Sequence, residues 1–195
     1  MAQYLCRVCD NSAGWTKPTN LARETTASHF GNFGFAYEEW NFSGSLLING
    51  WQYGWIEGFK SGPWRANVPC GTHEIILYVR RNKQAFAIGR LLTCEKLVPS
   101  QVHPVYPPAL IAQATAVKAN ITQGANGFWN VTPTAAKPKM SAYSQVPQPN
   151  IRFRLSDSVL FSTAVSIPIS YTRYGALLVT SANGRAAIWS MVPYK

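Results

Sequence analysis

Acidic residues are scarce in this sequence, and most of them lie near its start. The chain of 195 residues has 8 Asp and Glu against 18 Lys and Arg, which gives a net charge of +10. Residues 59–195 carry fifteen of the basic residues but three of the acidic ones. This imbalance predicts a cationic surface that faces a polyanion, and nucleic acid is the first candidate. Charge alone does not separate DNA from RNA, an acidic protein or an anionic lipid surface.

Residue types that bind metals are also few. The three histidines form no H-x-x-H or HNH-type arrangement, and no G-x-x-x-x-G-K-[ST] phosphate loop is present. Cys6 and Cys9 form one C-x-x-C, but a zinc ribbon needs a second close pair, and Cys70 and Cys94 stand apart. We therefore predict structural thiols, no metal and no cofactor. A Ser-His-acid triad assembled in space stays open, although no nucleophile elbow indicates one.

Long hydrophobic runs are missing too. The first residues, MAQYLCRVCD, show neither the pattern of a signal peptide nor that of a membrane anchor, which predicts a cytoplasmic protein. Apolar residues are nevertheless plentiful, at 47% hydrophobic and 13% aromatic, so the chain can bury a core and is not globally disordered.

Turn residues and strand-forming residues dominate the pattern. The 14 Gly and 13 Pro separate short runs rich in Val, Ile, Thr, Tyr and Trp, which predicts an α+β fold that is mainly β. Tyr4 to Cys9 is typical of a strand. Asn49-Gly50 divides SLLINGWQYGWIEGF and is the preferred pair for a two-residue hairpin turn. HEIILYVR and QAFAIGRLLTCEKL flank Arg81-Asn82-Lys83 and predict a second hairpin with a basic tip.

Four prolines within residues 99–108 predict an extended connector and the best internal boundary. We expect a β-barrel-like domain over 1–98, and a second part over 99–195 that packs on it or continues the same domain. Helical spacing of apolar residues predicts a helix over 108–123, and residues 124–150 have the composition of a polar loop. Strands are then predicted at NIRFRL, VSIPIS, RYGALLVTS and RAAIWSMV, the last two joined across Ala182-Asn183-Gly184.

Three large aromatic rings follow the first hairpin turn. On a strand, Trp51, Tyr53 and Trp55 share one face and form a platform. Such rings stack on bases, or line a pocket that holds an extruded base. The alternative is the core face of an aromatic-rich barrel.

Glu38 and Glu39 are adjacent carboxylates in an otherwise basic chain, and aromatic residues stand on both sides of them. One carboxylate could accept a hydrogen bond from an exocyclic amine of a base. Alternatively, one pairs with an arginine while the other faces water. The predicted base pocket comprises Tyr37, Glu38, Glu39, Trp40, Trp51, Tyr53 and Trp55.

Arginines are the candidates for contact with phosphates. Arg152 and Arg154 flank Phe153 in NIRFRL, so both should share one strand face, and two fork-shaped donors at this spacing suit successive phosphates. An ordinary solvated strand face is the alternative. The predicted phosphate contacts are Arg65, Arg80, Arg81, Lys83, Arg90, Lys137, Lys139, Arg152 and Arg154.

Several spaced motifs within residues 4–97 resemble a bacterial domain with a GFGHEEW-type core, associated with HNH endonucleases and modification-dependent restriction proteins. The motifs are CRV near the start, GW-x-x-P at residues 14–18, GFAYEEWNF and INGWQYGWIEGF. The resemblance implies a module that reads modified DNA, similar to the PUA, EVE and SRA β-barrels, with a nuclease domain elsewhere in the natural protein. Ala36 and Tyr37 replace the Gly and His of that core, which implies altered specificity or lost activity.

Our first hypothesis is a DNA-binding module without catalytic activity that receives a base, which we expect to be modified, in an aromatic pocket. The second is a nuclease or another enzyme acting on nucleic acid, with Glu38 or Glu39 in its active site. The third is a protein-interaction domain in which the aromatic residues contact a partner.

Overall fold

The computed structural model describes residues 1–16, 37–44, 46–59, 68–97, 149–170 and 175–194, and the structural statements below concern these residues. Eight strands form one mixed sheet: β1 Ala2–Arg7, β2 Leu47–Ile48, β3 Trp51–Gly54, β4 Gly71–Arg81, β5 Gln84–Lys96, β6 Ile151–Phe153, β7 Ser158–Ile167 and β8 Ala176–Leu178. Helical structure comprises α1 (Ala186–Met191) and 3₁₀ turns at Tyr37–Trp40, Glu57–Phe59, Leu155–Asp157 and Ser181–Asn183. The predicted mainly β fold with a few short helices is confirmed.

The strand order is β2-β3-β6-β5-β4-β1-β8, and β7 pairs with β5. β1 runs parallel to β4, whereas the other strand pairs are antiparallel. The sheet ends at β2 on one side and at β8 on the other, so its described strands do not close into a barrel.

Both predicted hairpins are confirmed. Asn49 and Gly50 connect β2 to β3 with φ angles of 50° and 76°. Asn82 and Lys83 connect β4 to β5 with φ angles of 50° and 67°. Two consecutive residues with positive φ are what a tight hairpin of this twist requires, and Asn and Gly adopt this conformation readily.

Strands from both sides of the predicted boundary at residue 98 share this sheet. β6 lies between β3 and β5, β7 pairs with β5, and β8 pairs with β1. The N-terminal strands therefore gain their neighbours from the end of the chain. The predicted connector after residue 98, the helix predicted over 108–123 and the polar loop up to residue 148 lie outside the described residues.

The predicted strand at RAAIWSMV is wrong, because Ala186–Met191 forms α1. A Thr180–Asn183 capping box begins the preceding 3₁₀ turn, and Gly184, at a φ of 70°, ends it and redirects the chain. Ile188 and Val192, four residues apart, are both buried against one side of the sheet. Residues four apart share one face in a helix and also in a strand. The apolar pattern of such a short run therefore does not distinguish the two structures.

The long strands bury both of their faces, because alternate side chains enter two separate cores. In β1, Tyr4 and Cys6 belong to one core while Leu5 belongs to the other, which also receives α1. In the first core Cys6 lies with Cys9 and Cys94, all as free thiols whose pKa burial raises. None of the described helices has the length and apolar character needed to cross a membrane.

Candidate functional site

The structure divides the predicted base pocket between two places. Glu38 and Glu39 lie in the interior, with 2% and 0% of their surface exposed. Glu38 accepts hydrogen bonds from the backbone N–H groups of Cys9 (2.9 Å) and Glu57 (3.0 Å). Glu39 accepts one from the side-chain amide of Asn11 at 3.1 Å. Both carboxylates therefore connect segments of the fold, and this burial differs from the polar edge of a base pocket that the sequence predicted for one of them.

Burial in this place also changes the acidity of Glu38. Removal from water raises the pKa of its carboxyl to about 8, although the two backbone N–H groups and nearby Arg7 favour the charged form. Trp40 is buried in the same region. The side chain of Tyr37 lies outside the described part of the chain.

We predict that the raised pKa of Glu38 makes the protein less stable as pH rises from about 5 to about 8. The folded state keeps its proton over this interval while the unfolded chain releases it, so the free energy of unfolding falls by at most about 1.4 kcal/mol per pH unit. Urea unfolding at a series of pH values should show this slope in the wild type and lose it in Glu38→Gln. A slope that persists in the variant would assign the titration to another group.

Predicted pocket rings and predicted phosphate ligands meet instead on β3 and β6. These strands are antiparallel neighbours, and Tyr53 is paired with Arg152. The guanidinium carbons of Arg152 and Arg154 lie 4.5 and 4.4 Å from the centroid of the Trp51 ring. The prediction that the two arginines share one strand face is thus confirmed, and the indole holds both by cation–π contact.

Glu95 completes this group from the next strand, β5, where it is paired with Arg152. Its Oε2 lies 2.6 Å from both Nε and Nη2 of Arg152. Burial lowers the pKa of the Arg152 guanidinium, but hydrogen bonds with Tyr53 and Glu95 outweigh burial and raise it overall. We refer to Trp51, Tyr53, Glu95, Arg152 and Arg154 as the Trp51 cluster.

The members of the Trp51 cluster differ in their exposure. Tyr53 is buried, Trp51 is half-buried and Arg154 is exposed. The side chains of Arg152 and Glu95 are 31% and 27% exposed. Among the described residues, no carboxylate lies within ion-pair distance of Arg154. The cluster therefore presents one neutralised and one uncompensated guanidinium group to solvent.

Trp55 stands at the end of the same hairpin, beyond β3. Its backbone is held by the side chain of Asn41, which accepts from Trp55 N–H at 2.8 Å and donates to its carbonyl at 2.9 Å. Its indole N–H donates to Oε2 of Glu57 at 3.2 Å, and both side chains are partly exposed. A partly exposed ring and a partly exposed carboxylate thus occur together here, whereas Glu38 and Glu39 are buried.

Arg80, Arg81 and Lys83 lie around the tip of the β4–β5 hairpin. Arg81 donates twice to the carboxylate of Asp10, each time at 2.8 Å, and this hydrogen bonding raises its pKa. Arg80 donates to the backbone carbonyls of Ser170 and Lys83. This tip and Glu95 lie near opposite ends of β5, about 35 Å apart if the strand is fully extended. The described members of the predicted set of phosphate contacts therefore lie near both ends of β5.

Arg90 is only 2% exposed, which contradicts its prediction as a phosphate ligand. Its guanidinium donates to the carbonyls of Trp189 (2.7 Å) and Val192 (3.1 Å) and lies 3.4 Å from Glu74. The rings of Trp189 and Tyr194 lie 4.9 and 5.1 Å from it. Burial lowers the pKa of this guanidinium. Arg90 thus fastens the C-terminal segment to the sheet.

Three predicted phosphate ligands, Arg65, Lys137 and Lys139, lie outside the described residues. Sequence reasoning also missed Glu95, the carboxylate that lies against the aromatic and basic side chains. One signal was available: Glu95 alternates with the buried Cys94, so it had to lie on the opposite face of β5. Its partner on β6, however, is 57 residues away in sequence.

Comparison with models of protein families, with curated proteins and with solved structures finds no match to this chain.

Proposed function

We propose that this protein binds DNA, and that the Trp51 cluster contacts its phosphate backbone. The observation that carries the proposal is the position of two guanidinium groups, from alternate residues of β6, beside a single indole ring. Guanidinium groups match phosphate oxygens geometrically, and stacking on an aromatic ring holds them in place before the ligand arrives.

Residue spacing and charge support this assignment. Arg152 and Arg154 are two residues apart on one strand face, which offers neighbouring donors to neighbouring phosphates. The net charge of +10 adds a long-range attraction to any polyanion and raises the rate of encounter. The proposed fold relation is to the PUA- and SRA-like readers of DNA, and it rests on the sequence resemblance alone.

We further propose that a base, modified in the natural target, is read at Trp55 and Glu57. Trp55 is partly exposed and has an aromatic face on which a base can stack, and the Glu57 carboxylate, which accepts from the Trp55 indole N–H, is an acceptor of the kind that an exocyclic amine requires. This pair takes over the role that the sequence assigned to Glu38 and Glu39. Trp55 lies about 13 Å of extended chain after Trp51, so residues of one hairpin would contact both the phosphates and the base.

We predict that Arg154→Ala weakens DNA binding about fivefold to tenfold near 0.1 M salt. It should also make the fall of log K with log salt less steep, by about one in the slope. Fluorescence anisotropy with matched duplexes measures both quantities. The duplexes should carry cytosine, 5-methylcytosine, 5-hydroxymethylcytosine, glucosylated cytosine or N6-methyladenine. Because the contact is to phosphate, the loss should be the same for every duplex, and the duplex that the wild type prefers identifies the base.

The matched control is Arg185→Ala. Arg185 is partly exposed and donates to the backbone carbonyl of Leu178, away from the Trp51 cluster. The Arg185→Ala change removes the same charge as Arg154→Ala, but its effect on DNA affinity should stay below twofold because Arg185 lies away from the cluster. Equal losses in the two variants would show attraction by net charge alone, and unchanged affinity in Arg154→Ala would reject this surface. If the wild type does not bind any duplex at low salt, the cluster serves a different partner.

A further inference from the structure

The two arginines of the Trp51 cluster are not equivalent in the free protein. Nε of Arg152 donates to Oε2 of Glu95 at 2.6 Å, Nη2 lies 2.6 Å from the same oxygen, and Tyr53 accepts a further hydrogen bond. Arg154 contacts the Trp51 ring and no carboxylate within the described part of the chain. One guanidinium fork is therefore occupied by an internal anion, whereas its neighbour is open.

The contact between Glu95 and Arg152 follows from the pairing of their strands. Glu95 and Arg152 are directly paired residues on β5 and β6, so their side chains leave the sheet side by side on the same face. At 27% and 31% exposure, both side chains are reached by water. An ion pair of this kind is weak and is exchanged readily for a competing anion.

We infer that Glu95 is an internal competitor for phosphate and sets the affinity and the ligand class of this site; this inference depends on the proposed function. A phosphate on Arg154 alone leaves the Glu95–Arg152 pair intact. A second phosphate linked to the first reaches Arg152 at high effective concentration and displaces Glu95. The site therefore selects a phosphodiester chain over isolated phosphate groups and over the single carboxylates of acidic proteins.

The main test is Glu95→Gln, which keeps the size of the side chain and removes its charge. We expect duplex DNA to bind about threefold to tenfold more tightly to this variant at 0.1 M salt. Inorganic phosphate should compete with DNA at a lower concentration in the variant than in the wild type. The matched control is Asp10→Asn, which releases Arg81 and changes the net charge equally, but far from the cluster.

A second experiment measures the effect of Glu95→Gln in the Arg152→Met background. If Glu95 acts by occupying Arg152, Glu95→Gln has no effect on affinity in the Arg152→Met background. A gain of the same size in that background, or in Asp10→Asn, would overturn the inference in favour of a general charge effect. Unchanged affinity in Glu95→Gln, together with a loss in Arg154→Ala, would overturn it while leaving the proposed function standing. No effect of Arg154→Ala would instead reject the proposed function.

Discussion

Arg90→Met should lower the free energy of unfolding by about 3 to 5 kcal/mol, because it leaves a partly buried carboxylate and two carbonyls without the guanidinium group that they share. Those acceptors are Glu74 and the backbone oxygens of Trp189 and Val192. The thioether fills much of the volume but donates nothing. Since two of the three acceptors belong to α1 and the residue that follows it, the C-terminal segment should detach first.

Urea unfolding measures the loss in free energy, and limited proteolysis reports whether the region after Gly184 becomes accessible. Arg81→Met is the matched control, because it also breaks an arginine–carboxylate pair, but one whose arginine is 44% exposed. Pairs of that kind contribute about 1 kcal/mol or less. Equal losses in the two variants would contradict the role assigned to Arg90. Arg90→Lys should recover part of the stability, since one ammonium group cannot reproduce the guanidinium fork.

Local chemistry explains which parts of the fold were predictable. Asn49-Gly50 and Asn82-Lys83 define turns that depend only on residues within them and on the flanking alternation. The shared face of Arg152 and Arg154 follows likewise from the period of a strand. The run around Ile188 was ambiguous because a short apolar segment satisfies either a helix or a strand, and in the structure it forms the helix α1.

The candidate site depended on contacts between distant parts of the chain. Trp51 meets its arginines only because β6, a hundred residues later, enters the sheet between β3 and β5. Arg90 and Glu38 are residue types that are common on protein surfaces, and only the segments that cover them make them structural. Charge and aromatic content therefore led to the proposed class of ligand, but they did not separate exposed groups from buried ones.

The Trp51 ring has a different partner in the structure from the one that the sequence predicted. The sequence assigned its ring to a base, whereas in the structure two guanidinium groups lie against it. A ring engaged in this way acts first as a support that fixes the direction of the arginines. Preorganised donors lose less conformational entropy on binding, so the support contributes to affinity without touching the ligand.

Trp51→Ala should therefore weaken DNA binding about tenfold or more, exceeding the effect of Arg154→Ala. Two cation–π contacts at partly exposed positions contribute about 0.5 to 1 kcal/mol each, and the loss of both affects two phosphate contacts together. Trp51→Phe keeps an aromatic face and should recover part of the affinity. Anisotropy titrations of these variants against plain and modified duplexes measure the effect.

A double-mutant cycle between Trp51 and Arg154 distinguishes a support from a base-stacking ring. A support acts through the arginine, so Trp51→Ala combined with Arg154→Ala should cost less than the sum of the two single changes. A ring that stacks on a base acts independently: the losses would add, and Trp51→Ala would remove the preference for a modified duplex while Arg154→Ala would not. Full affinity in Trp51→Ala would contradict both roles, because the arginines would then hold their positions without the indole.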